Sequence, residues 1–177
     1  ILRAAWLTST APMAPVYINL DAEIQEEVVE NPPAPLDAKR YMPPVTAGVD
    51  DAVVEKIAGL LKGAKKPVVL MGRMSLNQQD WENRIKLVEH LGAKVITHKK
   101  SSATFPTDHE LHAGAPISFI DAETRSAIEE ADLVLSLYWI DLAGTLKAAL
   151  RKVDPDKTII HVSVDHYIHN GWSMDHQ

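Results

Sequence analysis

Four short segments concentrate the side chains able to do chemistry in this chain, and each follows directly on an apolar run. They are Gly72-Arg73-Met74-Ser75, His98-Lys99-Lys100-Ser101-Ser102, Tyr138-Trp139-Ile140-Asp141 and Asp165-His166. A glycine after a buried strand lets backbone approach a phosphate, and an arginine beside it adds charge, so Gly72 and Arg73 read as nucleotide contacts. The plainer reading is a strand-ending glycine and a solvated arginine. Lys99 and Ser101, with Lys100 and Ser102, offer cations and hydroxyls to an anion, although surface loops are rich in these types without a ligand. Tyr138 and Trp139 either pack over a ligand or neighbouring domain, or fill the edge of the core. Asp165 stands where a carboxylate accepts hydrogen bonds from a ribose or an amide, or else caps a turn.

Other chemistries find less support. A dinucleotide fingerprint places three glycines as G-x-G-x-x-G, whereas the Gly72 turn has one, and no G-x-x-x-x-G-K-[ST] loop occurs. There is no G-x-S-x-G elbow. Zero cysteines remove disulfides, thiolate catalysis, zinc-thiolate sites and the four-cysteine zinc module of NAD-dependent protein deacylases. His161, His166, His169 and His176 lie near Asp165 and Asp175, but strand alternation places only His161 and Asp165 on one face. Surface histidines are the expectation, and no metal site is assigned.

The elements that must position these segments are legible from residue 50 onward. Val53, Val54, Ile57, Leu60 and Leu61 recur at helical spacing up to Gly63, and Pro67-Val-Val-Leu-Met71 reads as a buried strand. Trp81, Ile85, Leu87, Val88 and Leu91 form a second helical stripe closed by Gly92, followed by strand Lys94–Thr97. A third round runs from N-cap Asp121 through Ile128 to strand Asp132–Leu137, and a fourth from Leu142–Lys152 to strand Thr158–Val164. Near-continuous apolar strands alternating with helices specify an α/β class: a doubly wound parallel sheet, Rossmann-like, with helices on both faces. Ligands of such sheets bind beyond the carboxyl ends of the strands, where the four segments fall.

The first part of the chain has a different texture. Ile1–Thr8 is a short amphipathic piece, Pro15–Leu20 has the composition of a buried strand, and Asp21–Glu30 is acidic. Asn31–Pro44 holds five of the eleven prolines, which makes it an extended linker. The expected organisation is therefore residues 1–30, a linker over 31–48, and the sheet domain over 49–177. A net charge of −6 argues against nucleic acid as partner, and no apolar run approaches the roughly 20 residues of a membrane span. A soluble, cytoplasmic protein is expected. A chain opening at Ile1 is read as a piece of a longer polypeptide.

The phrases in this order carry a resemblance. Val16-Tyr-Ile-Asn-Leu20 resembles the last strand of the pyrimidine-binding domain in acetolactate synthase-like, thiamine-diphosphate-dependent enzymes, where a proline-rich linker follows. Lys66–Arg73, Leu91–Thr97, Phe105–His109 with Gly114, Ala131–Leu137 and Ile159–Asp165 resemble successive signposts of that family's central domain. The resemblance covers about residues 14 to 20 and 50 to 166.

It implies a parent, a homodimer or homotetramer, in which thiamine diphosphate and magnesium lie between the first and third domains. A glutamate of the first domain would activate the aminopyrimidine, and a G-D-G motif with a following asparagine in the third would hold magnesium and the diphosphate. Nothing here matches those motifs, so no catalytic residue is carried over and the isolated chain is expected to be inactive. In the parent, the thiazolium carbon would attack a 2-oxo acid carbonyl, with the ring as electron sink for carboligation or decarboxylation. Some relatives hold FAD or ADP in the central domain through a glycine-rich turn after the first strand and an arginine-bearing segment after the third. This sequence departs at both places, with a single Gly72 and with Tyr138-Trp-Ile-Asp-Leu142. The competing reading is a free-standing FAD- or ADP-binding regulatory module of the same fold.

Overall fold

The computed structural model describes residues 1–10, 13–41, 48–116, 119–152 and 156–164, and the chain divides into two units, Ile1–Gly48 and Val49–Gln177. In the first unit, α1 spans Leu2–Ser9 and α2 spans Ala22–Glu26, the latter begun by the Asp21 carboxylate accepting the Glu23 amide. A 3-10 turn, Ala38–Tyr41, interrupts the stretch read as an extended linker. Pro15–Leu20, expected as a buried strand, lies instead outside any regular element, with Tyr17 89% exposed. The physical reason is that a strand needs a neighbour to satisfy its backbone, and no strand occurs among the described residues of this unit.

The second unit opens with α3 (Asp51–Gly63), whose N-cap Asp50 accepts the Ala52 amide. Strand β1 (Pro67–Met71) is buried throughout. Helix α4 (Gln78–Leu91) starts at Asn77, whose side chain accepts two amides, and stops at Gly92, which takes a left-handed φ of 57°. Strand β2 (Lys94–Thr97) follows, then a short β3 (His112–Gly114) that the sequence reading did not contain. Helix α5 (Ala122–Glu130) begins at Asp121, β4 covers Leu133–Leu137, α6 covers Leu142–Leu150 and β5 covers Thr158–Val162. Helix α6 ends at Leu150, two residues before the expected Lys152, with Arg151 at φ 56° as its C-cap.

All four strand pairings are parallel, in the order β3-β2-β1-β4-β5. Chain order reverses between β1 and β4, which makes that boundary the switch point of the sheet. Alternation along each strand sends Val68, Leu70, Ile96 and Val134 to the face covered by α5 and α6. Val69, Met71, Val95 and Leu135 go to the opposite face, against α3 and α4. The doubly wound α/β arrangement read from the sequence is the one observed.

The amino end of the sheet is tied down by structural contacts. The Asp132 carboxylate accepts the amides of Lys65 (2.6 Å) and Lys66 (3.0 Å), and the Lys65 amide holds its pKa below the usual carboxylate range. The Lys157 ammonium donates to the carbonyls of Ile128, Glu129 and Ala131 at the end of α5, and Arg125 donates to those of Ala148 and Ala149 at the end of α6. These cations satisfy carbonyls that a helix end otherwise leaves without donors. No described helix is long and apolar enough to cross a membrane.

Candidate functional site

Where a parallel sheet ends, each strand releases a turn, and those turns are the site the fold offers. After β1, the Gly72 amide donates to the Leu137 carbonyl (2.9 Å) and the Arg73 amide to the Tyr138 carbonyl (3.1 Å). The β1 and β4 ladder therefore continues past both strands. A Cβ at Gly72 would collide with the Tyr138 carbonyl oxygen, so the absence of a side chain there is what lets the two backbones meet. Tyr138 itself takes φ 51°, uncommon for a bulky residue, and its amide donates to the Val162 carbonyl (2.8 Å). Its ring faces the Arg73 guanidinium at 4.2 Å from carbon to centroid, within cation–π range.

Trp139 turns inward from the same segment. It is 1% exposed, its indole N–H donates to Thr145 Oγ1 of α6 at 2.8 Å, and it belongs to the core on the α5 and α6 face. Its edge meets His98 from the β2 turn, with ring centroids 5.1 Å apart at 72°. His98 thus reaches across the end of β1, to which it is also tied by its amide donating to the Met71 carbonyl (3.2 Å). Its Nδ1 accepts the Lys100 amide at 3.2 Å. Burial, with a smaller contribution from Lys100, pushes the imidazole pKa below its ordinary value.

The structure brings Gly72, Arg73 and Tyr138 together at the switch point. Lys99 and Ser101 sit apart on the β2 turn, where their amides donate to the Pro116 carbonyl (3.3 Å) and the His98 carbonyl (2.8 Å); the Lys99 side chain is exposed and Ser101 is half-buried. Asp165 lies outside the described residues, as do His166, His169, Asp175 and His176. His161 is placed, with its Nδ1 3.0 Å from Ser136 Oγ across β4 and β5.

One structural residue escaped the sequence reading. Arg84 is 8% exposed, and its guanidinium donates to the carbonyls of Ser75, Ala103 and Thr104, so one side chain holds the turns after β1 and β2. Burial lowers its pKa, with Asp80 acting in the opposite direction. The available signal was its spacing: it lies three residues after Trp81 and four before Val88, on the inward stripe of α4. Arg84 also borders an open cleft of about 400 Å³ lined by Met74, Leu87, Leu137, Tyr138 and Val162. Those walls are mainly apolar, which suits packing more than acid–base chemistry.

The donor set does not fit thiamine diphosphate with magnesium. No group of three His, Asp or Glu able to hold a metal occurs among the described residues. The Asp121 and Asp141 carboxylates, at the carboxyl end of the sheet, accept the amides of Thr124 (2.7 Å) and Gly144 (2.9 Å) as helix caps.

Comparison with known proteins locates the chain among relatives. It is 25% identical to the acetolactate synthase large subunit of Corynebacterium glutamicum over 166 residues, covering 93% of this chain and 26% of that protein. It is 29% identical to the sulfoacetaldehyde acetyltransferase of Rhodobacter capsulatus over 126 residues, 70% of this chain and 20% of that one. The chain thus spans about a quarter of the length of these relatives. The crystal structure of benzoylformate decarboxylase from Polynucleobacter necessarius shares the fold with a TM-score of 0.61 at 22% identity, over 96% of this chain and 31% of that one. The family described as thiamine pyrophosphate enzyme, central domain, matches residues 54–170, the span that holds the five-stranded sheet, and the chain belongs to that family.

Proposed function

We propose that this chain is the architectural middle of a longer polypeptide that uses thiamine diphosphate and magnesium to make or break a carbon–carbon bond beside the carbonyl of a 2-oxo acid. In this reading residues 1–30 close the pyrimidine-binding domain, 31–48 form the linker, and 49–177 form the central domain. The observation that carries it is the match of residues 54–170 to the central domain of thiamine pyrophosphate enzymes. The relatives named as acetolactate synthase and sulfoacetaldehyde acetyltransferase support carboligation or acyl-group transfer as the reaction class.

The chain's own contribution is rigidity. A sheet pinned at one end by Asp132, Lys157 and Arg125, and at the other by Arg84, holds its neighbours at fixed separation. Both catalytic walls are supplied by the neighbouring domains, in a cytoplasmic dimer or tetramer.

The test is an assay of the longer polypeptide against a panel of 2-oxo acids that includes pyruvate. Consumption that requires both thiamine diphosphate and magnesium is the expected result. A polypeptide that retains neither cofactor and consumes none of the panel rejects the proposal.

A further inference from the structure

A dinucleotide is held by an open parallel sheet at its switch point, where the pyrophosphate lies on free amides of a glycine turn that runs directly into a helix. Each part of that arrangement is used differently here. The amides of Gly72 and Arg73 donate to the Leu137 and Tyr138 carbonyls. Helix α4 starts only at Gln78, and its exposed amides at Gln79 and Asp80 are already taken by the Asn77 side chain at 2.8 and 3.4 Å.

The other helices at this end offer no substitute. The first turns of α5 and α6 are capped by Asp121 and Asp141, whose carboxylates stand where a phosphate would sit and would repel it. On the α5 and α6 side the Trp139 indole, pinned between Thr145 and His98, walls a cavity of about 170 Å³, below the roughly 300 Å³ at which small-molecule sites begin. Gly72 itself faces the Tyr138 backbone, so its lack of a side chain serves strand contact.

We infer that the switch point of this domain is closed to a pyrophosphate by its own Tyr138-Trp139 segment and helix caps, the open cleft beside it being walled mainly by apolar side chains, and that neither FAD nor ADP binds there. The fold admits such a ligand; the backbone hydrogen bonds and caps of this chain exclude it. The inference is independent of the reaction proposed above, because the thiamine-dependent chemistry is assigned to other domains. Nucleotide binding would overturn the sealing and leave that assignment standing.

Calorimetric titration of FAD and of ADP into the 177-residue chain, with a thermal melt to verify folding, tests it together with the variant Gly72→Ala. No saturable binding is expected up to about 1 mM ligand. The variant is expected to melt about 5 °C or more below the unsubstituted chain, because its new Cβ meets the Tyr138 carbonyl. In a phosphate cradle the same methyl would face ligand space and leave the melt unchanged. Saturable binding of either nucleotide overturns the inference, and so does a variant that melts with its parent. Where the chain alone gives no cooperative melt, the same two measurements on the longer polypeptide decide the matter by the same outcomes.

Discussion

Trp139 shows how one residue settles the character of this sheet end. Its two sequence readings, a lid over a ligand or a piece of the core, differ in what surrounds the indole, and the structure surrounds it with protein. Trp139→Ala is expected to destabilise by about 3–5 kcal/mol, the range for removing a buried large aromatic side chain, as measured by denaturant unfolding. His98 and His112 add a pH dependence. Burial lowers both pKa values, so the unfolded chain binds their protons more tightly than the folded one. The sign follows: stability is complete above the ordinary histidine pKa of about 6.5 and falls as pH drops through that value toward the folded-state ones. Replacing both with glutamine is expected to flatten the slope of melting temperature between about pH 5 and 7; an unchanged slope would contradict the assignment. Types such as Gly, Arg and Tyr were readable as residues worth inspecting, but their partners were not, because hydrogen bonds between strand ends depend on register that no single segment encodes.

Elements were legible where two signals agreed. Helix α4 combines an apolar stripe with Gly92 at a left-handed position, and α5 combines its stripe with a capping Asp121. Strand β3 carries neither: His112-Ala113-Gly114 has no apolar alternation, and it exists by pairing with β2 across a register shift at Val95/Ile96. Pro15–Leu20 shows the converse, since apolar composition alone does not make a strand where no partner strand occurs among the described residues of its unit. Arg84 links element to turn. Arg84→Met would keep much of the buried stem and leave the carbonyls of Ser75, Ala103 and Thr104 without that donor. Hydrogen exchange is expected to speed up over residues 98–105 while β1 stays protected, because the turns open locally before the sheet does.

At the scale of the whole molecule, the alternation of helices and near-continuous apolar strands disclosed the sheet, and the order of short phrases disclosed the family. The proposed role within a longer polypeptide was less accessible, because a domain proposed to position others needs no catalytic motif of its own. The Asp121 and Asp141 carboxylates at the carboxyl end cap helices, and the buried Arg84 holds carbonyls. A chain built this way should carry out no thiamine-dependent chemistry by itself. The most direct measurement is carbon dioxide release from pyruvate by the purified 177-residue chain with thiamine diphosphate and magnesium added. A rate equal to that of the solution without protein is the expected result; release that rises in proportion to chain concentration and survives repurification would contradict the account.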